Sequence, residues 1–203
     1  LRAEPVENIW CNLVHKYFKN GMKGILSGIQ NSNFPISYDE QYDVLKKYIS
    51  LIIPDKDINK KELLDDYNLK KRQNRKNFIG PSSISLEMKN IIKNSGYDTI
   101  YTPYAVTDKA DGERYLLYVD NSKRVYLINN RLNIKFTGLT HNSPKTIIDG
   151  EYITKDKYGR KMDSFMAFDI YFLKGKNVSE YPLIKESGKT RLNLLNDFVK
   201  DGF

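Results

Sequence analysis

Lys109, Asp111, Gly112 and Arg114 lie close together in the string Thr107-Asp108-Lys109-Ala110-Asp111-Gly112-Glu113-Arg114. A lysine amine is a covalent nucleophile once its proton is removed, and burial or a nearby cation eases that removal. A neighbouring arginine, or a bound cation, stabilises phosphate charge. Asp111 and Gly112 are expected to shape a tight turn, since glycine permits both the turn and a close ligand approach. The string predicts a strand running into Lys109 and a second strand leaving from Arg114, with Lys109 at the mouth of a sheet. An ordinary hairpin with a solvated turn fits the same residues.

Two further strings carry chemistry. In Ile147-Ile148-Asp149-Gly150-Glu151-Tyr152 an apolar run leads into acids. Glu151 there is suited to accept from a ribose hydroxyl or to help hold a metal, because hard cations take oxygen ligands. In Phe165-Met166-Ala167-Phe168-Asp169-Ile170-Tyr171-Phe172, alternation predicts Met166, Phe168 and Ile170 on one face. An aromatic at a sheet's mouth stacks on a nucleobase for about 1–3 kcal/mol, although such a run alone reads equally as core strand.

Taken together and in this order, the three strings resemble the covalent nucleotidyltransferases: mRNA capping guanylyltransferases, ATP-dependent DNA ligases and RNA ligases. The resemblance spans residues 78–198. It implies that Lys109 attacks the α-phosphate of a nucleoside triphosphate and carries the nucleotide through a phosphoramide bond. It also implies that Arg114 contacts ribose or phosphate, that Glu151 serves the ribose or the metal, and that Phe168 stacks on the base. The stretches Phe78-Ile79-Gly80-Pro81 through Ser85-Leu86-Glu87, 107–117, 125–130 with 136–139, and 165–172 are most similar to capping enzymes of large DNA viruses. Thr107 agrees with that branch, because a hydroxyl donates to guanine O6 and a carboxylate does not. The cofactors implied are GTP and Mg²⁺ or Mn²⁺, and the acceptor is a 5′-diphosphate RNA end. A triphosphatase and a methyltransferase are the expected companion domains or subunits.

Two alternatives stay open. Asp111-Gly112-Glu113-Arg114 and Phe168-Asp169-Ile170 with Pro182-Leu183 and Arg191 are also ligase-like, which would make ATP the substrate. A basic RNA-binding or partner-docking module, using residues 69–78 and the N-terminal helices and carrying a degenerate pocket, is the non-enzymatic reading. The family's third-motif arginine has only Arg131, after Asn129-Asn130, as a stand-in. Its lysine pair and C-terminal OB-fold are not evident, while Asp201-Gly202-Phe203 resembles the start of its acidic-Gly motif. The chain opens on Leu1, not Met, and a truncated piece of a longer polypeptide is expected.

The elements that must position these residues are β-type runs at 105–107, 114–119, 124–129, 146–153 and 165–172, rich in Val, Ile, Tyr and Phe. Asp120-Asn121-Ser122 predicts a hairpin turn, and a closing helix over 190–200 turns Leu192, Leu195, Phe198 and Val199 inward. The fold class expected is α+β: a ligase-type, ATP-grasp-like nucleotidyltransferase domain with largely antiparallel sheets over 70–203, lacking its OB-fold, behind a helical extension over 1–69. That extension would hold a stripe over 6–18, a helix from Ser37, capped through Ser37 and Glu40 and stopped by Pro54, and a shorter helix over 59–67. Lys70, Lys71, Arg72, Arg75 and Lys76 follow without an acid, fitting a nucleic-acid strip or a solvated linker.

Composition narrows the classes. Among 203 residues, 15 Tyr, 9 Phe and one Trp supply a core that disordered chains lack. One cysteine, Cys11, excludes a disulfide scaffold and a Cys-based zinc site. Two isolated histidines, His15 and His141, disfavour a zinc or Ser-His-Asp centre, and neither a P-loop nor a Rossmann glycine pattern is present. No apolar run approaches the ~20 residues of a membrane span, so no membrane partner is expected. A net charge of +8 favours polyanions. The location expected is the cytoplasm, of a host cell or within a virion if the source is viral.

Overall fold

The β-branched and aromatic runs form six strands in the computed structural model, which describes residues 36–54, 78–82, 85–94, 96–97, 99–101, 104–105, 110–185 and 188–202. The strands are β1 (Glu113–Val119), β2 (Arg124–Asn129), β3 (Ile134–Thr140), β4 (Thr146–Lys155), β5 (Lys161–Leu173) and β6 (Lys176–Asn177). They make one antiparallel sheet in the order β3-β2-β1-β4-β5-β6. With its helices this is an α+β fold, as expected. The expected β1–β2 turn is held by Asp120, whose Oδ1 accepts from the Ser122 and Arg124 amides at 2.8 and 2.9 Å. That side-chain turn fixes the pairing of Val119 with Val125.

Both faces of the sheet are apolar, so both need cover. On one face Leu117, Val119, Val125, Leu127 and Ile148 meet α3 (Arg191–Lys200) through Leu192, Leu195, Phe198 and Val199, the four residues expected inward. Thr190 caps that helix by accepting from the Asn193 amide at 3.1 Å. On the other face Leu116, Tyr118, Tyr126, Ile128 and Ile147 meet α1 (Tyr38–Ile52) through Val44, Leu45, Tyr48 and Ile49. Tyr48 and Ile49 are wholly buried. Burial is worth about 1.5–3 kcal/mol per large apolar side chain, well above any helix propensity, so packing on the sheet decides that α1 forms.

Ser37 caps α1 as expected, its side chain accepting from the Glu40 amide at 3.2 Å. The return bond of the predicted box is replaced: Glu40 pairs with Arg124 at 2.7 Å and accepts from the Tyr126 hydroxyl at 3.1 Å. The carboxylate thus ties helix to sheet. The described parts of 78–105 include the single-turn α2 (Met88–Ile91). The stripe over 6–18, the helix over 59–67, the basic strip before Phe78, and residues 106–109 lie outside the described residues. β3 and α2 were not expected; β3 is interrupted by Lys135 and Gly138, and its pairing with β2 is set by Thr137, whose Oγ1 donates to the Val125 carbonyl at 2.8 Å.

Candidate active site

Among the described residues, the register brings Arg114, Gly150, Glu151 and the turn of Arg131 to one end of the sheet. Arg114 lies opposite Glu151, Tyr115 opposite both Gly150 and Asn129, and Glu151 opposite Met166. The turn that precedes β1 arrives at the same end. A Cβ on Gly112 would stand 2.6 Å from the Tyr152 carbonyl oxygen and 3.1 Å from Ile153 Cγ1, so glycine lets the turn lie directly on β4. Asp111 is exposed there. Thr107 and Lys109 lie outside the described residues; Lys109 is three positions before Gly112 in the sequence.

Arg114 is held from behind. Its Nε donates to Asp149 Oδ1 at 3.0 Å, one terminal nitrogen donates to Asp149 Oδ2, and the other donates to the Pro81 carbonyl. The guanidinium also sits 5.4 Å from the Phe78 ring centroid. Asp149 is fully buried and takes a third bond, from the Tyr171 hydroxyl at 2.6 Å. The hydrogen bonds to Asp149 raise the Arg114 pKa above its ordinary value. Burial raises that of Tyr171, and the adjacent Asp149 charge adds to it. A guanidinium has five N–H groups, and these bonds engage three of them. The sequence reading missed this anchor: Asp149 follows Arg114 by 35 positions, and only the β1–β4 pairing unites them.

Glu151, beside Arg114 on the next strand, is partly buried, and its Oε2 is enclosed with no hydrogen-bond partner among the described residues. A buried, unmet carboxylate oxygen costs about 1–3 kcal/mol or more.

Phe168 departs from the simple alternation. Asp149 pairs with Asp169 but Gly150 pairs with Ala167, so Phe168 is an extra residue on β5, a bulge of the kind common beside active sites. It is partly buried against the cluster of Leu192 and Phe198. Arg131 is exposed in the β2–β3 turn, where Asn129 Oδ1 accepts from the Arg131 and Asn133 amides at 3.0 and 2.9 Å. Arg191 pairs with Asp169, Nε to Oδ1 at 2.7 Å, and pins the start of α3 to β5.

The Asp111-Gly112 turn and the Asp149-Gly150-Glu151 strand therefore meet side by side. Comparison with known families agrees: a family model described as "mRNA capping enzyme, catalytic domain" matches residues 37–201. The chain belongs to that family. It is 33% identical over 212 aligned positions to a "Probable mRNA-capping enzyme" of Acanthamoeba polyphaga mimivirus. The alignment covers 100% of this chain and 15% of that protein. The expected kinship with viral capping enzymes is thereby met. Among the described residues no helix is long and apolar enough to cross a membrane.

Proposed function

We propose that the chain is the guanylyltransferase part of a capping enzyme. The Lys109 amine, having given up its proton, attacks the α-phosphorus of GTP. A nitrogen–phosphorus bond forms and pyrophosphate leaves. The terminal phosphate oxygen of a 5′-diphosphate RNA end then attacks the same phosphorus, and Lys109 leaves with a proton. The family match over 37–201 carries this reading.

The neighbours have complementary roles. Arg114, steadied by Asp149, directs its remaining donors at ribose or phosphate. Glu151 accepts from a ribose hydroxyl or ligates a divalent ion. Phe168 stacks on the base, Thr107 selects guanine through O6, and Arg131 lends charge from the β2–β3 turn. Asp111 and Gly112 hold the turn that follows the nucleophile. The orphaned Glu151 oxygen fits Mg²⁺ or Mn²⁺, which would neutralise phosphate charge when bound. Among the described residues no cluster of three His, Cys, Asp or Glu side chains forms an all-protein cage. A single carboxylate plus substrate phosphate is the usual arrangement for Mg²⁺.

The domain would be of the ligase type, over 70–203 with residues 1–69 as its extension, and α1 shared with the sheet's core. An OB-fold, a triphosphatase and a methyltransferase belong to the rest of the capping machinery. The 15% coverage of the viral relative supports companions of that size. The cytoplasm, of a host or within a virion, suits a protein with one cysteine.

Nucleotide choice tests the reading. With α-labelled GTP and a divalent cation, label should survive denaturation and be removed by pyrophosphate. Label from ATP instead of GTP would move the chain to the ligases.

A further inference from the structure

β4 and β5 run past the sheet they belong to. β1 begins at Glu113, opposite Tyr152, so residues 153–155 and 161–164 pair with each other alone among the described strands. The ribbon closes through Asp156-Lys157-Tyr158-Gly159-Arg160. Asp156 Oδ1 accepts from the Tyr158 and Arg160 amides at 2.8 and 3.0 Å, and Oδ2 pairs with Arg160 Nε at 2.7 Å. The one carboxylate of the tip is thus engaged in the turn itself.

What the tip presents is cationic and aromatic. Lys155, Lys157, Arg160 and Lys161, all exposed, lie within three positions of Tyr158, which is 70% exposed. Lys157 Nζ and Arg160 Cζ stand 5.0 and 5.1 Å from the Tyr158 ring centroid. Lys155 and Lys161 face each other across the ladder. Like charges so placed destabilise a hairpin, and hairpin stability does not call for an exposed ring flanked by two cations. A single-stranded polyanion calls for both: cations for its phosphates and a ring for a base. The ribbon also has the right origin. It leaves the sheet two residues after Glu151, and Gly112 rests on Tyr152 and Ile153 at its root.

We propose that this ribbon binds the acceptor RNA behind its 5′ end, phosphates against Lys155, Lys157, Arg160 and Lys161 and a base on Tyr158. The identity of the strand as acceptor rests on the guanylyl-transfer reading; the capacity of the ribbon to bind it does not.

The test titrates a short fluorescent 5′-diphosphate RNA against the 203-residue chain at several salt concentrations. Lys155→Ala/Lys157→Ala/Arg160→Ala should weaken binding roughly ten- to a hundredfold at low salt. The slope of log affinity on log salt should shrink by about 2, near 0.7 per charge on single strands. Tyr158→Ala should weaken binding several-fold and leave the slope alone, since stacking releases no counterion. The Lys155→Arg/Lys157→Arg variant should bind as the wild type does. GMP adduct formation from GTP should be unchanged in all three. Wild-type RNA affinity and slope in both alanine variants would overturn the proposal and leave the tip to an acidic protein surface. If the wild type binds RNA through the ribbon yet forms no adduct, the catalytic reading falls and this one stands.

Discussion

Arg114 on β1 and Asp149 on β4 form a two-pronged ion pair across adjacent strands, with Nε donating to Oδ1 at 3.0 Å and a terminal nitrogen donating to Oδ2. Asp149 is fully buried and also receives the Tyr171 hydroxyl at 2.6 Å. Removing one partner of such a pair strands the other's charge, at a cost of about 3–5 kcal/mol. Asp149→Ala should therefore lose stability on that scale in urea unfolding. Tyr171→Phe, which removes one hydrogen bond and leaves the ion pair, should lose about 1–3 kcal/mol. An Asp149→Ala protein as stable as the wild type would show that the pair anchors nothing.

Glu151 should behave in the opposite way. Its Oε2 has no partner among the described residues, so Glu151→Ala removes an unmet acceptor and should leave stability unchanged or slightly raised. Lysyl-GMP formation should fall by about 10²–10³-fold, the usual cost of losing one polar contact to the reacting group. A variant that labels normally would take Glu151 out of the site.

Gly150 lies tight against β5. A Cβ there would lie 2.5 Å from the Met166 carbonyl oxygen and also strike the Phe165 ring. Phe165 is wholly buried and the carbonyl is backbone, so neither gives way cheaply. Gly150→Ala should destabilise by about 1–3 kcal/mol, the common cost of overpacking, and should shift Glu151 with it. Thermal unfolding together with the labelling rate checks both effects.

Much of this architecture is legible in the sequence, and its limits have physical causes. The runs at 114–119 and 124–129 became β1 and β2 nearly residue for residue, because alternation and a side-chain-held turn are local signals. The same holds for the four inward residues of α3. β3 escaped because its pairing rests on a contact from Thr137 to Val125, which no periodicity encodes. Glu40 was assigned to a capping box, but Arg124 and Tyr126, far along the chain, compete for its carboxylate. In the site, residue types named Arg114 and Glu151, but the Asp149 anchor and the bulge at Phe168 exist only once β4 meets β1 and β5.

His141 makes stability depend on pH. Its Nδ1 accepts from the Ser143 amide at 3.0 Å, so Nε2 carries the proton and donates to the Phe198 carbonyl at 3.1 Å. Burial lowers its pKa; the bond to Phe198 and the charge of Asp201 oppose this, and Lys174 adds to it. With the folded pKa below the unfolded one, the contribution is whole above the free value of about 6.5 and drains away as pH falls towards the folded pKa. The urea midpoint should drop between about pH 7.5 and about pH 5.5, and His141→Phe should flatten that drop. An equal drop in the variant would assign the effect elsewhere.

Guanylyl transfer through Lys109 requires a covalent bond from its amine to GMP. The most direct measurement is peptide mapping by mass spectrometry after incubation with GTP and Mg²⁺ or Mn²⁺, in the wild type and in Lys109→Ala. GMP should appear on the peptide that contains Lys109, be removed by pyrophosphate, and be absent from a Lys109→Ala protein that unfolds like the wild type. GMP on a different residue, or an adduct that persists in Lys109→Ala, would contradict transfer through Lys109.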